Sequence, residues 1–280
     1  MAKKIILLPA YNEEASLAIL LDKIQQLGTE AGWDYRVIVC NDGSKDRTGE
    51  ILARYRSRMP LEILTHRINR GLGETIRDLF ERAAEIADDR DIVLRLDCDD
   101  SHEPHHITDM VKKIDEGYDV VTASRFEPGG GQMGVSAYRA FISRCANIFL
   151  SVVFAFRNVK EYSCGYRAYR GEIVRRAIES FGDGFIQLKG LGFTCTIEKL
   201  IKFNLLGARF AEVPFVLRYD QKRSASKMVT STTTLGYFVL VLLYHWPWGG
   251  WRRGYRDLKR SSAAKPEASR PGSARSPVNS

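Results

Sequence analysis

The sequence predicts an α/β protein with a mostly parallel central sheet that helices flank on both faces. Short apolar runs alternate with amphipathic helical patterns in the first half of the 280-residue chain, and this alternation is typical of βαβ units. A content of 44% hydrophobic and 27% charged residues indicates a folded globular protein and excludes wholesale disorder. Polar and acidic residues follow the apolar runs, where ligands bind in sheets of this class.

Five strands and three helices are predicted in chain order before residue 126. The strands are the apolar runs Ile5–Leu8, Val37–Cys40, Leu61–Leu64, Ile92–Leu96 and Val120–Ala123. The helices are Glu14–Leu27, a helix that opens near Asp46, and Leu72–Ala87. This order predicts parallel strands whose carboxyl ends meet at one edge of the sheet.

The pattern changes after Phe126. A glycine-rich loop, Pro128–Gly131, precedes a long predicted helix, Tyr138–Phe156, whose second half is unusually apolar. Leu235–Trp248 is the most apolar stretch, but its 14 residues are fewer than the roughly 20 that a spanning helix needs. Three tryptophans and then five basic residues favour an interfacial segment, with a core or dimer-interface helix as the alternative. These residues are Trp246, Trp248, Trp251, Arg252, Arg253, Arg256, Lys259 and Arg260.

We therefore predict three segments: an α/β domain over residues 1–230, a membrane-interface segment over 231–260, and a disordered tail over 261–280. A net charge of +8 favours an anionic partner, which includes nucleic acid, phosphorylated small molecules and acidic membranes. The five cysteines never form Cys-x-x-Cys, which argues against a zinc site and favours a reducing, cytoplasmic setting. Pro9 interrupts the first apolar run, so no signal peptide is expected.

Asp97 and Asp99 follow the fourth predicted strand directly. Two carboxylates at this spacing on a strand-to-loop bend can reach one hard cation, with substrate phosphates completing the shell of Mg²⁺ or Mn²⁺. A solvated turn rich in aspartate is the alternative. An EF-hand is excluded because His102 stands where glycine is required and Thr108 where glutamate is required.

The ends of the first two predicted strands carry candidate nucleotide contacts. Tyr11-Asn12-Glu13 is either a capping element or a nucleotide-contacting loop, and Asn41–Ser44 is either a tight turn or a segment in which Asp42 binds a nucleobase or ribose. Gly71-Leu72-Gly73 does not follow the first strand and no P-loop motif exists, so such a site would use neither a Rossmann nor a Walker loop. Glu198, on the helical pattern Phe193–Asn204, is interpreted as an ion-paired helix residue.

Together these motifs resemble the family 2 glycosyltransferases with a GT-A fold, and within them the dolichyl- or polyprenyl-phosphate mannose synthases. The similarity covers roughly residues 3–230. The motifs that carry it are Pro9–Glu13, Asn41–Ser44, Gly71–Gly73, Asp97–Asp99 with His102 and Pro104, Ser124-Arg125, Gly129–Gly131, Tyr138-Arg139, Ile142–Arg144, Ala146-Asn147, Ser163–Arg167, Glu212–Pro214 and Ser226-Lys227.

The resemblance implies an inverting enzyme that moves a hexose, mannose from GDP-mannose, to a dolichyl or polyprenyl phosphate at the cytoplasmic face of a membrane. It implies Mg²⁺ or Mn²⁺ at Asp97 and Asp99, with Asp99 and Arg125 as catalytic residues. The donor-binding residues that it implies are Pro9, Tyr11, Glu13, Asp42, Asp97, Cys98, Asp99, Arg218 and Lys227. The acceptor-phosphate residues are Arg125, Arg139 and Ser143.

Three departures from the family pattern and two other functions stay open. Glu161–Arg167 stands where the family usually has Asp-x-Thr-Ser-Gly-Phe-Arg. Ser101 stands where the family often has a metal-binding glutamine, and Lys222 aligns as well as Arg218 with an arginine of the family. A UDP-sugar such as UDP-glucose is the alternative donor. A catalytically silent membrane protein and a nucleic-acid-binding module are the other classes, but the latter is not expected because basic and aromatic residues do not interleave in the folded part.

Overall fold

The computed structural model of the chain describes residues 2–223 and 230–244. Within these residues the structure has nine strands and eight α-helices. In chain order they are β1 (Lys4–Ala10), α1 (Leu17–Glu30), β2 (Tyr35–Asp42), α2 (Thr48–Tyr55), β3 (Leu61–His66), α3 (Leu72–Ile86), β4 (Ile92–Arg95), α4 (Ile107–Asp115), β5 (Val120–Ser124), β6 (Gly131–Met133), α5 (Ala137–Phe154), β7 (Arg167–Arg170), α6 (Gly171–Phe181), α7 (Thr194–Leu205), β8 (Phe210–Pro214), β9 (Val216–Arg218) and α8 (Thr230–Tyr244).

The central sheet has seven strands in the order β3-β2-β1-β4-β7-β5-β8. All neighbouring pairs are parallel except those of β7, which runs antiparallel to both β4 and β5. The five predicted strands and the helices predicted over Glu14–Leu27 and Leu72–Ala87 are confirmed within three residues at each end, and the helix predicted to open near Asp46 begins at Thr48. The mostly parallel sheet flanked by helices is confirmed as well. The sequence analysis did not identify β7, which is only four residues long.

Two apolar layers, one on each face of the sheet, form the core. Successive residues of β1 alternate between them: Ile5 and Leu7 lie with α3, α6 and α7, whereas Ile6 and Leu8 lie with α1, α2 and α4. This alternation follows from the two-residue period of a strand. With both faces covered, the polar segments after β1, β2 and β4 are left at the carboxyl edge of the sheet.

The helices α5 and α8 leave apolar side chains exposed. Phe141 and Val152 on α5 are 63% and 74% exposed, and Phe238 on α8 is 56% exposed. By length and composition α5 could cross a membrane, with a mean hydropathy of 1.2 and 11% of its residues buried. The predicted interfacial stretch is helical as far as Tyr244; its tryptophans, the basic residues 252–260 and the predicted tail lie outside the described residues.

A glycine just before β7 makes room for a buried arginine of β4. Arg95 is 1% exposed, and its Nη2 lies 2.6 Å from Asp97 Oδ1. A Cβ at Gly165 would overlap the Arg95 guanidinium. Because protein interiors are close-packed, this contact leaves no space for a larger residue. The entry of the chain into β7 therefore depends on glycine at this position.

We predict that Gly165→Ala lowers the free energy of unfolding by roughly 1–3 kcal/mol, the usual cost of overpacking a core. Gly131→Ala is the matched control, since no atom lies within 4 Å of the added methyl group there. Urea denaturation monitored by circular dichroism measures both. Equal stability of the two variants would contradict the packing argument.

Candidate active site

The carboxyl ends of β1, β2 and β4 border a cavity of about 570 Å³. Seven of the residues predicted from sequence line it: Pro9, Tyr11, Glu13, Asp42, Asp97, Cys98 and Asp99. They come from three segments far apart in the chain, and the parallel sheet brings them to one edge. The cavity also has walls that the sequence analysis missed, from the loop after α6 (Gly190, Gly192, Phe193) and from Thr232 of α8.

The two carboxylates after β4 each face a cation. Asp97 pairs with Arg95, and Asp99 Oδ2 contacts the ammonium of Lys222. Asp99 Oδ1 accepts hydrogen bonds from the Ser101 amide at 3.1 Å and the Ser101 hydroxyl at 2.5 Å. Burial by itself would raise the pKa of Asp99, but Lys222, His102 and these hydrogen bonds together lower it to about 2.

The residues present fit a hard divalent cation that shares its ligands with a phosphate. Asp97 and Asp99 both line the cavity, and carboxylate oxygens are the ligands that Mg²⁺ and Mn²⁺ prefer. No group of three or more His, Cys, Asp or Glu side chains suited to a metal occurs in residues 2–223 and 230–244. Two carboxylates completed by substrate phosphate and water are the arrangement expected for Mg²⁺. Contact of Asp99 with the Lys222 ammonium indicates that this position accepts positive charge.

The first two strand-end loops are hydrogen-bonded to each other. The Asn12 amide donates to Ser44 Oγ at 2.9 Å, and Asn12 Oδ1 accepts from the Lys45 amide at 2.8 Å. The Glu13 amide donates to Thr48 Oγ1 at 2.9 Å. These contacts give the two loops a structural role, whereas ligand binding by Tyr11, Glu13 and Asp42, which line the cavity, stays a prediction.

Asp42 is engaged mainly by the protein itself. It is 3% exposed; its Oδ1 accepts from His66 Nδ1 at 2.6 Å and the Arg70 amide at 2.8 Å. Its Oδ2 accepts from the Gly71 amide at 2.9 Å. The carboxylate thus anchors the loop between β3 and α3 beside the cavity, a role that the sequence analysis did not assign to it.

A second polar cluster surrounds Arg125 at the end of β5. Its Nε and Nη2 donate to Glu161 Oε2 and Oε1 at 2.7 and 3.0 Å, and Nη2 also donates to Ser163 Oγ at 2.8 Å. Its Nη1 lies 3.3 Å from Gln132 Oε1 and 3.4 Å from Ser143 Oγ. The buried Glu161 carboxylate therefore fixes the guanidinium and leaves Nη1 with two weaker, neutral partners.

Tyr219 lies between the cavity and this second cluster. Arg139, one helical turn before Ser143 on α5, donates to the Tyr219 hydroxyl at 2.9 Å, and its guanidinium lies 5.4 Å from the ring centroid. The Lys222 ammonium lies 5.4 Å from the centroid of the same ring and contacts Asp99. The predicted metal carboxylates and the predicted acceptor-phosphate residues are thus neighbours in the structure.

Arg218 and Lys222, the two basic residues that align with one arginine of the family, lie in different surroundings. Arg218, predicted to bind donor, lies on β9 and pairs with Asp220 at 2.8 Å, and it does not line the cavity. Lys222, the alternative, does line it. β9 pairs in parallel with β6 outside the central sheet. The Arg218 amide donates to Ser101 O at 3.1 Å in the loop after β4, so its backbone lies near the strand end although its side chain pairs with Asp220. Lys227 lies outside the described residues.

We predict that Asp42→Asn lowers the free energy of unfolding by about 2 kcal/mol, since a single amide oxygen cannot replace a buried carboxylate with three donors. Asp109→Asn is the control: that side chain is 54% exposed and pairs with Lys112, so we expect a change under about 0.5 kcal/mol. Urea titration of both variants measures the difference. A loss at Asp42 no greater than at Asp109 would contradict the anchoring role.

Known proteins match this chain over most of its length. The model of the family described as "Glycosyl transferase family 2" matches residues 5–177. Dolichol-phosphate mannosyltransferase of Pyrococcus furiosus is 27% identical over 228 residues, which are 81% of this chain and 59% of that protein. Undecaprenyl-phosphate 4-deoxy-4-formamido-L-arabinose transferase of Pseudomonas aeruginosa is 32% identical over 199 residues, 69% of this chain and 56% of that protein. The chain thus spans less than two thirds of the length of either relative.

A solved structure supports the fold. Glucosyl-3-phosphoglycerate synthase of Mycobacterium tuberculosis, in complex with Mg²⁺ and uridine diphosphate, superimposes with a TM-score of 0.59 at 20% identity, covering 89% of this chain and 82% of that one. This similarity confirms the GT-A architecture implied by the sequence resemblance. The family match covers well over half of the chain, and on this evidence the chain belongs to glycosyl transferase family 2.

Proposed function

We propose that the chain transfers a hexose from a nucleotide diphosphate sugar to a dolichyl or other polyprenyl phosphate, with inversion at the anomeric carbon. The observation that carries this proposal is the adjacency of two sites: a cavity with two carboxylates and Lys222, and an arginine cluster that Tyr219 joins to it. The names of both curated relatives specify a polyprenyl-type phosphate. They specify different sugars, so GDP-mannose and UDP-sugars are both candidate donors.

The proposed acceptor needs little activation. A phosphate monoester has a second pKa near 6, so it is mostly ionised at neutral pH and needs no strong general base. Arg125 Nη1, Arg139 and Ser143 would hold this phosphate, which would displace the neutral Gln132 and Ser143 contacts of Arg125. The fixed geometry of Arg125 on Glu161 orients the acceptor for in-line attack.

The leaving diphosphate carries the charge that must be stabilised. The Lys222 ammonium lies at the cavity beside Asp99, where it can neutralise a departing phosphate oxygen. A divalent cation held by Asp97 and Asp99 would supply Lewis-acid stabilisation of the same oxygens. Tyr11 and Glu13 also line the donor cavity, and we assign them to the nucleoside.

We further propose that the exposed apolar faces of α5 and α8 rest against the cytoplasmic leaflet, as in a peripheral or monotopic protein. The Phe149 and Phe238 rings lie 5.9 Å apart, so the two helices present one continuous face. The same helix α5 carries Arg139 and Ser143, so in this arrangement the proposed phosphate ligands would lie beside the membrane. A lipid phosphate could then reach the site while its tail stays in the bilayer.

We predict that Asp99→Asn lowers sugar transfer about 100-fold or more, because it removes half of the anionic metal site. The matched control is Asp100→Asn: Asp100 pairs with Lys23 instead of lining the cavity, and its φ of 62° suits asparagine equally well. Radiolabelled GDP-mannose and UDP-glucose are tested with undecaprenyl phosphate vesicles and Mg²⁺ or Mn²⁺. Full transfer by Asp99→Asn, or no transfer from any nucleotide sugar, would overturn the proposal.

The membrane part is tested with the double variant Phe141→Ser, Phe238→Ser. We expect about 30-fold weaker binding to anionic vesicles, since each of the two rings removed from an apolar interface forfeits about 1 kcal/mol. Transfer to long-chain acceptors should fall more than transfer to short, soluble ones. Ile68→Ser, which alters a residue 72% exposed on the loop between β3 and α3, is the control for vesicle binding. Unchanged vesicle binding of the double variant would refute the apolar face as the attachment surface.

A further inference from the structure

A fully buried carboxylate on α7 holds the loop that walls the donor cavity. Glu198 is 0% exposed; its Oε1 accepts from the Gln187 amide at 2.9 Å and its Oε2 from the Leu188 amide at 3.1 Å. The chain then continues to Gly190 and Gly192 in the cavity wall. A buried carboxylate that accepts two successive amides fixes the start of that loop, since an unpaired charge there would be costly.

The last helix of the described residues, α8, contacts the same carboxylate. The Tyr244 hydroxyl lies 2.8 Å from Glu198 Oε1 and 3.0 Å from Gln187 Oε1. The Lys202 ammonium lies 3.5 Å from Glu198 Oε1 and 5.8 Å from the centroid of the Tyr244 ring. Buried polar groups therefore connect the last described turn of α8 to Gln187, at the start of the cavity loop. Because each buried polar group requires a hydrogen-bond partner, these contacts favour a single arrangement of the helix and the loop.

Two glycines allow α8 to lie directly on this loop. Gly192 has a φ of +60°, and a Cβ there would lie 2.8 Å from Thr233 Oγ1. A Cβ at Gly236 on α8 would overlap Thr194 Oγ1. One residue before Thr233, Thr232 lines the cavity itself. Helix α8 thus contacts the loop near Gly192 through Thr233 and near Gln187 through Tyr244. It also contributes Thr232 to the wall of the cavity.

We propose that Glu198 and Tyr244 are positioning residues for the donor cavity. They hold α8 and the loop 187–193 in a fixed relative position, and this loop forms part of the cavity wall. The ligand class is a nucleoside diphosphate, so the inference rests on the proposed function. The seating of α8 holds one side of this glycine-rich wall, and Lys189 of the same loop pairs with Glu74 of α3 at 3.2 Å on the other. Because α8 also carries part of the proposed membrane face, its seating connects the membrane surface to the affinity for donor.

The test compares two buried tyrosines of equal exposure. Tyr244→Phe removes a hydroxyl with two acceptors next to the cavity loop; Tyr55→Phe removes one that contacts Ala18 O and Asp22 Oδ1, far from it. Both residues are 4% exposed. Glu198→Gln would leave a buried amide NH₂ facing a backbone N–H, so the tyrosine variant is cleaner. Binding of UDP and of GDP, each with Mn²⁺, is measured by calorimetry on the full chain, with thermal midpoints alongside.

We expect both tyrosine variants to fold, with the larger drop in thermal midpoint for Tyr244→Phe, because its hydrogen bond to Glu198 is buried whereas those of Tyr55 are only partly buried. Only Tyr244→Phe should weaken nucleotide binding, by roughly fivefold, the factor that corresponds to one such hydrogen bond. Equal dissociation constants for Tyr244→Phe and the unsubstituted chain would overturn the inference. Weaker binding by both variants to the same degree would also overturn it, since the effect would then reflect stability alone.

A second pair of variants tests the seating of α8 without substituting a residue that lines the cavity. The added methyl group reaches Thr194 Oγ1, which donates a hydrogen bond to Leu191 O of the loop. Gly236→Ala places a methyl group against Thr194, whereas Gly49→Ala on α2 meets only Asn41 Nδ2 at 3.6 Å. Alanine favours the helix at both positions, so weaker nucleotide binding by Gly236→Ala alone supports the inference, and unchanged binding overturns it. Failure of the unsubstituted chain to bind either nucleotide would instead overturn the proposed function.

Discussion

Two neighbouring carboxylates at the end of β4 impose the constraint on which the rest of the structure depends. Asp97 and Asp99 lie together at the cavity, and negative charge at this density requires facing cations. Arg95 meets Asp97 from within the sheet, and Lys222 meets Asp99 from the loop after β9. Each contact constrains another part of the chain. Arg95 requires the space at Gly165, just before β7, and the contact of Lys222 with Asp99 holds the loop after β9 at the cavity.

The helix α5 combines two chemistries that a lipid phosphate would need side by side. Ser143 and Arg139 face the cluster around Arg125 and Tyr219, whereas Phe141 is exposed on the same turns. A helix with 3.6 residues per turn can present both faces within two turns. The proposed acceptor, an anionic head on an apolar tail, matches this division without any rearrangement of the fold.

The sequence by itself determined the parts of this protein that depend on local pattern. Strands β1 to β5 and the helices α3 and α5 follow from hydrophobic periodicity. The position of Asp97 and Asp99 directly after a strand predicted their place at the cavity edge, since parallel strands end together. The ordered motifs from Pro9 to Pro214 were sufficient to indicate the family, which the family model then confirmed over residues 5–177.

The tertiary structure alone decided how these motifs are connected. The contact of Lys222 with Asp99 joins residues 123 positions apart, and that of Tyr244 with Glu198 joins residues 46 positions apart. The three hydrogen bonds that Asp42 accepts from His66 and from two backbone amides could not be predicted from the sequence either. Periodicity reports which face of an element is buried, but it carries no information on which distant side chain meets that face. Only the folded chain brings such groups within hydrogen-bond distance.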